Sequence, residues 1–261
     1  MFTTFSHNVI RKYVIIFGTL FNDIYVTREN SAGKNVDTIK IPLSYGPAEK
    51  YLSRLQGDPE LTRQVATVLP RMSFEMTSFQ YDAERKRNTM NKTYVQNADP
   101  STVSYQYSPV PYNINFRLSI MTKNVIDGTK IVEQILPYFT PAWTPTVQLI
   151  PEMGDAGTFD VPIILTDVSQ EDTYEGDFIQ RRAIIWTLEF TMKAYVFGPV
   201  KNAGLIKFTT VNLPDQGISI TTRPGLTANG KPTSNSSISI PYANIESTDD
   251  YGFINDITEN M

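Results

Sequence analysis

Along RRAIIWTLEFTMKAYVF the side chains alternate: Ile184, Trp186, Leu188, Phe190, Met192, Ala194 and Val196 fall on one side, with Thr187, Glu189, Thr191 and Lys193 on the other. A period of two with one apolar face marks an antiparallel strand that is buried on one side and wet on the other. NINFRLSIMT repeats the pattern, setting Ile114, Phe116, Leu118 and Ile120 against Asn113, Asn115, Arg117 and Ser119. In RMSFEMTSFQY, Met72, Phe74 and Met76 share a face. The N-terminal residues follow a helical period instead. Phe5, Val9, Tyr13, Phe17 and Phe21 line one face, which Ile10, Leu20 and Ile24 widen, and this predicts an amphipathic helix docked on a core. DIYVTRENSAGKNVDTIKIPL reads as a β-hairpin around Ser-Ala-Gly-Lys-Asn. GPAEKYLSRLQ has Pro47 at a plausible first helical position, and DPELTRQVATVLP adds a helical segment with Asp58 as cap, Pro59 beside it and Pro70 as its stop. The fold class these elements predict is α+β, with a mixed or antiparallel sheet and helices packed on one side.

KIVEQILPYFTPAWTPTVQLIPEM starts as an amphipathic helix and cannot continue as one. Ile131, Val132, Ile135 and Leu136 form its expected buried face, and Pro137 ends it because proline supplies no amide hydrogen. Tyr138, Phe139, Pro141 and Trp143 then make a stiff aromatic turn, read as core packing or as a contact with a subunit or partner. From about Pro214 the chain becomes rich in Thr, Ser, Asn, Gly and Pro, which divides it into a domain over 1–212 and a polar, extended arm over 213–261. Residues 242–261 carry five acidic side chains and no basic one, yet keep Tyr242, Ile245, Tyr251, Phe253, Ile254 and Ile257. So many apolar groups suit an arm that docks on a neighbouring subunit or back on its own domain.

Composition narrows the chemistry. The 261 residues are 41% hydrophobic, enough for a sizeable core, and a net charge of −4 argues against a general nucleic-acid binder. With no cysteine there is no disulfide, thiolate site or cysteine nucleophile, which suits manufacture in a cytosol. The apolar run Tyr13–Phe21 is nine residues long, far short of a membrane span of about 20. His7, the only histidine, reads as a helix-surface or core-edge residue, so a Ser-His-Asp triad and most transition-metal sites have no foundation. GLTANGKP has the spacing of a phosphate-binding loop, but Pro232 stands where a magnesium-binding hydroxyl is required. QEDTYEGD gathers Glu171, Asp172, Glu175 and Asp177 without the alternating oxygen ligands of a calcium loop. ERKRNTMNK is the basic run, where Arg85, Lys86, Arg87 and Lys92 make either a charged loop tip or an electrostatic contact with an acidic partner or passing DNA.

Read in order, RKYVIIFGTLFNDI, IKIPLSYGPAEK, VLPRMSFEMTSFQYD, QYSPVP with LSIMTK, IVEQILPYF and RRAIIWTLEFTM resemble the tail sheath stabiliser and completion proteins of T-even-type contractile-tailed bacteriophages. The resemblance covers roughly residues 1 to 210, and IVEQILPYF with Arg181 and Arg182 downstream is its most specific part. It implies a virion structural protein without enzymatic activity or cofactor, with the fold of a tail-terminator ring subunit. It further implies a homo-hexameric ring at the head-proximal end of the tail, assembled in the host cytoplasm. Such a ring caps sheath and tube, receives the neck proteins, and lets DNA through its channel without sequence-specific binding or any membrane role. The expected partners are the sheath protein, the tube or tube-terminator protein, and the neck proteins. A tube terminator or neck adaptor of the same kind is the nearest alternative. A hydrolase or carbohydrate-binding module is a remote one, opposed by the single histidine and the lack of a paired-acid motif. Candidate contact residues are Arg85, Lys86, Arg87, Lys92, Tyr138, Phe139, Trp143, Tyr251 and Phe253.

Overall fold

The two longest alternating stretches are strands β7 (Val110–Thr122) and β12 (Ala183–Val196), and they pair with each other antiparallel along thirteen residues. The register sets Phe116 opposite Phe190, Leu118 opposite Leu188 and Ile120 opposite Trp186, so the apolar faces of both strands coincide. The computed structural model describes residues 4–29, 35–51, 69–97, 102–173, 183–204, 206–213, 218–246 and 249–259. The expected helix over 58–69, residues Glu175 and Asp177 of the acidic run, and Arg181 and Arg182 lie wholly or almost wholly outside them.

The chain divides into two compact units, one of residues 1–91 with 107–199, the other of 92–106 with 200–261. The first holds a six-stranded sheet in the order β3 (Leu43–Tyr45), β4 (Arg71–Tyr81), β7, β12, β11 (Ile163–Thr173) and β8 (Ala142–Trp143). β3 runs parallel to β4 and every other pair is antiparallel, so the sheet is mixed. Helices α1 (Val9–Leu20) and α2 (Val125–Ile135) cover its apolar face. α1 buries Val9, Tyr13 and Phe17, whereas Phe5 stands exposed and His7 precedes the helix, its Nε2 3.0 Å from the Gly198 carbonyl. Phe17 stacks on Phe116 with ring centres 4.4 Å apart and meets Phe190 edge-on at 5.3 Å, an aromatic centre joining α1 to both long strands.

α2 buries Ile131, Val132 and Ile135 as its periodicity predicts, but Leu136 does not join them. The last turn tightens into a 3-10 helix over Leu136–Tyr138, which rotates Leu136 and Tyr138 outward. The expected hairpin forms from β1 (Tyr25–Glu29) and β2 (Asn35–Lys40), and α2 holds it. Lys130 and Gln134 donate to the Thr27 and Tyr25 carbonyls, and Arg28 pairs with the buried Asp127 at 3.1 Å. A helical turn over 48–51 follows Pro47, and its Tyr51 packs with Met121 and Ile185. Strands β9 (Thr146–Gln148) and β10 (Thr158–Asp160) form a short antiparallel ladder.

The second unit begins earlier than the composition suggested. Strand β13 (Lys201–Gly204) pairs with β6 (Thr102–Tyr107), which neighbours β5 (Lys92–Gln96), so 92–106 and 200–212 fold with the C-terminal residues and not with the long strands. The residues expected as an extended arm also form a sheet: β14 (Thr209–Leu213), β15 (Ile218–Gly225) and β16 (Gly252–Glu259), all antiparallel. Ile254, Leu226 and Ile245 are its buried residues, a small core of its own.

Candidate interaction surfaces

The basic run is where structure and expectation part most clearly. Arg85 is half-buried and fully employed: its Nε donates to Asp82 Oδ2 at 2.7 Å, and its terminal nitrogen reaches the Tyr112 carbonyl and Asn113 Oδ1. Lys193 reaches the same Asp82 oxygen at 3.3 Å. Asp82 is buried, and the hydrogen bond from Arg85, seconded by Lys193, holds its carboxyl well below the usual carboxylate range. Arg87 lies over the Tyr195 ring at 4.8 Å and donates to its hydroxyl, while Lys86 is exposed. Lys92 opens β5 in the second unit, with its ammonium 4.8 Å from the Tyr105 ring centre. Four charges close in sequence therefore do not make one patch: Arg85 and Arg87 share the Tyr195 ring, Lys86 faces water and Lys92 sits in the second unit.

The aromatic turn also separates into parts. Phe139 packs between Phe21 and Phe190, and Trp143 sits half-buried on β8 opposite Ile163. Tyr138 points to water, 69% exposed, and Pro141 is exposed too. Two of its rings therefore pack half-buried against the sheet and one turns outward.

In the C-terminal sheet the pairing register defines the two faces. Residues directly opposite one another share a face, which places Val211, Leu213, Ile218, Ile220, Phe253 and Ile257 together. The same register adds Thr209, Thr222, Pro224 and Asn255 to this face, so its apolar side chains form a patch with polar neighbours, and the patch is open to water: Val211 is 58%, Phe253 64% and Ile257 67% exposed. Tyr251 meets the Phe253 ring edge-on at 5.8 Å. The opposite face carries Ile254 with the Arg223–Asp256 ion pair at 2.6 Å, and Ser236 accepts from the same arginine. The hydrogen bond that Arg223 Nε donates to Asp256 Oδ2 lowers the Asp256 pKa. Sequence reasoning found Phe253 and Ile257 and missed Val211 and Leu213 as their neighbours. The alternation of Ile218, Ile220 and Thr222 with Ser219 and Thr221 was the available signal.

No three His, Asp or Glu side chains gather as a metal site among the described residues. GLTANGKP closes as a tight polar turn: Thr227 Oγ1 accepts from the Lys231 amide at 3.0 Å, and Gly230 takes a positive φ of 72°. The loop's own hydroxyl thereby occupies an amide that a phosphate would need. No described helix is long and apolar enough to cross a membrane.

These units pack strands and helices and leave an apolar patch open to water among the described residues. The model of the T4-like virus Myoviridae tail sheath stabiliser family matches residues 4–252, and the chain belongs to that family: it is a structural protein of the phage tail, not an enzyme. It is similar to the tail completion protein gp15 of Enterobacteria phage T4, with 33% identity over 230 residues, 82% of this chain and 83% of that protein.

Proposed function

We propose that the chain forms a hexameric ring of tail-terminator-like subunits at the head-proximal end of a contractile tail. There it caps the last sheath and tube rings, halts their growth and offers the surface on which the neck attaches. DNA passes through the ring without sequence-specific contacts, and assembly takes place in the host cytoplasm before the ring joins the virion. The family match over residues 4–252 supports the tail role. The observation that carries the ring is the apolar face of the β14–β15–β16 sheet, where Val211, Phe253 and Ile257 stand open to water. Exposed apolar patches of this kind mark protein interfaces, and a ring subunit covers such a face with its neighbour or with the tail. The test is electron microscopy of the purified protein mixed with tail tubes and sheath, with light scattering of the protein alone. Six-fold rings at one end of the sheath are the expected result. A protein that stays monomeric and leaves tail ends bare overturns the reading.

A further inference from the structure

The outer edge of β11 is only partly covered. β8 pairs with it at Ile163 and Ile164 alone. Beyond the bulge between Leu165 and Asp167, the edge from Asp167 to Glu171 has no strand beside it among the described residues. Backbone donors and acceptors along such an edge make a ready template for another extended backbone.

Two further features lie beside this edge. On the helix-covered side, a groove of about 370 Å³ opens between α2 and the sheet, lined chiefly by Val132, Glu133, Leu136, Pro137, Val168 and Trp186. It is apolar except for Glu133 and Thr129. Val168 faces Leu188 and therefore shares the groove's side of the sheet. On the other side, Asp167 and Glu171 are exposed, and neither pairs with a cation among the described residues. Arg117, the nearest cation by register, already pairs with Glu189 at 3.1 Å and Glu75 at 3.7 Å.

We propose that this edge accepts an extended segment of a partner protein as an added strand. The incoming strand alternates apolar side chains, which enter the groove over Val168 and Trp186, with basic ones, which face Asp167 and Glu171. A second copy of β11 is a poor occupant. Antiparallel self-pairing centred on Ser169 sets Asp167 opposite Glu171 twice, and like charges directly opposed destabilise a strand pair. The acidic side chains thus repel the chain's own edge and select a basic one. This inference does not depend on ring formation.

The test uses the full-length protein and a synthetic peptide of about eight residues alternating valine with lysine. Its controls are a valine–glutamate counterpart and two peptides N-methylated along one edge or the other. Hydrogen exchange locates binding and peptide anisotropy measures it. The expected result is new protection of the amides between Asp167 and Glu171 with the lysine peptide. Only one of the two N-methylated peptides should lose binding, since only one backbone edge faces β11. The pair Asp167→Lys with Glu171→Lys should weaken the lysine peptide by about tenfold or more and admit the glutamate peptide, with melting unchanged. Protection elsewhere, affinity indifferent to the charge reversal, or no binding at millimolar peptide overturns the proposal. Protection of the same amides that rises with protein concentration alone also overturns it, in favour of a second copy.

Discussion

Tyr13 shows how one side chain fastens an element. It is fully buried on α1, donates to the Tyr195 carbonyl at 2.8 Å and accepts from the Tyr195 amide at 2.9 Å. Tyr13→Phe keeps the ring and strands both backbone groups, so unfolding free energy should fall by about 1–3 kcal/mol in urea titration; a change within error would mean that those groups find other partners. Burial pushes the phenol's pKa up. The folded state therefore favours the neutral phenol, and this contribution is complete below about pH 10 and drains away as pH rises from there towards the folded value. Asp82 behaves in the opposite sense. Its folded pKa is depressed, chiefly by the hydrogen bond from Arg85, so its contribution is complete above about pH 4 and is lost as pH falls towards the folded value. Asp82→Asn should lower the melting temperature at pH 7 and flatten its decline on acidification. An unchanged acid limb would place the acid-sensitive carboxylate elsewhere. None of this was legible in the sequence: Arg85 reads as one of four surface cations because its partners Tyr112 and Asn113 lie 27 and 28 residues away.

At the scale of elements, α2 depends on a missing side chain. A Cβ on Gly128 would stand 2.7 Å from Trp186 Nε1 and 3.2 Å from Thr122 Oγ1, so the glycine lets the indole lie against the helix. Alanine gains up to about 1 kcal/mol in helix propensity over glycine, but here overpacking opposes it at about 1–3 kcal/mol. Gly128→Ala alone should therefore destabilise. In a Trp186→Ala background the nearest obstacle is gone, with Thr122 Oγ1 left at 3.2 Å, and the same change should cost less, a coupling that a double-mutant cycle reads directly. Additive effects would sink this account. Trp186 itself is half-buried over the groove, so its truncation should cost about 3 kcal/mol, the low end for a large aromatic. The long strands were legible because a period of two continues for a dozen residues in β7 and β12. Their mutual pairing, the parallel β3 and the outward turn of Leu136 were not, since register and helix-end geometry depend on tertiary partners. The C-terminal sheet was missed because its strands are shorter than β7 and β12 and its connections are rich in Gly, Pro and Ser, a composition shared with unstructured arms.

For the whole molecule, the C-terminal sheet separates what holds the subunit together from what it offers to others. Removing everything after Pro241 would delete β16, and with it Ile254 from the core and Asp256 from its pair with Arg223, so that truncation tests folding of the unit instead of docking. The opposite face allows a cleaner experiment. Phe253 and Ile257 point away from Ile254 and are about two-thirds exposed, so replacing them leaves the inner packing untouched. Phe253→Lys with Ile257→Lys puts two charges on a face whose other apolar side chains include Val211, Leu213, Ile218 and Ile220. An apolar partner surface would then have to desolvate both ammonium groups, which costs far more than the lost apolar contact. The double variant should melt within a degree or two of the parent, because exposed substitutions rarely shift stability by more than about 0.5 kcal/mol. In light scattering it should remain monomeric where the parent assembles, and in micrographs it should leave sheath ends uncapped. If it assembles and caps like the parent, this face is a wet surface of the ring and the subunit contacts lie elsewhere.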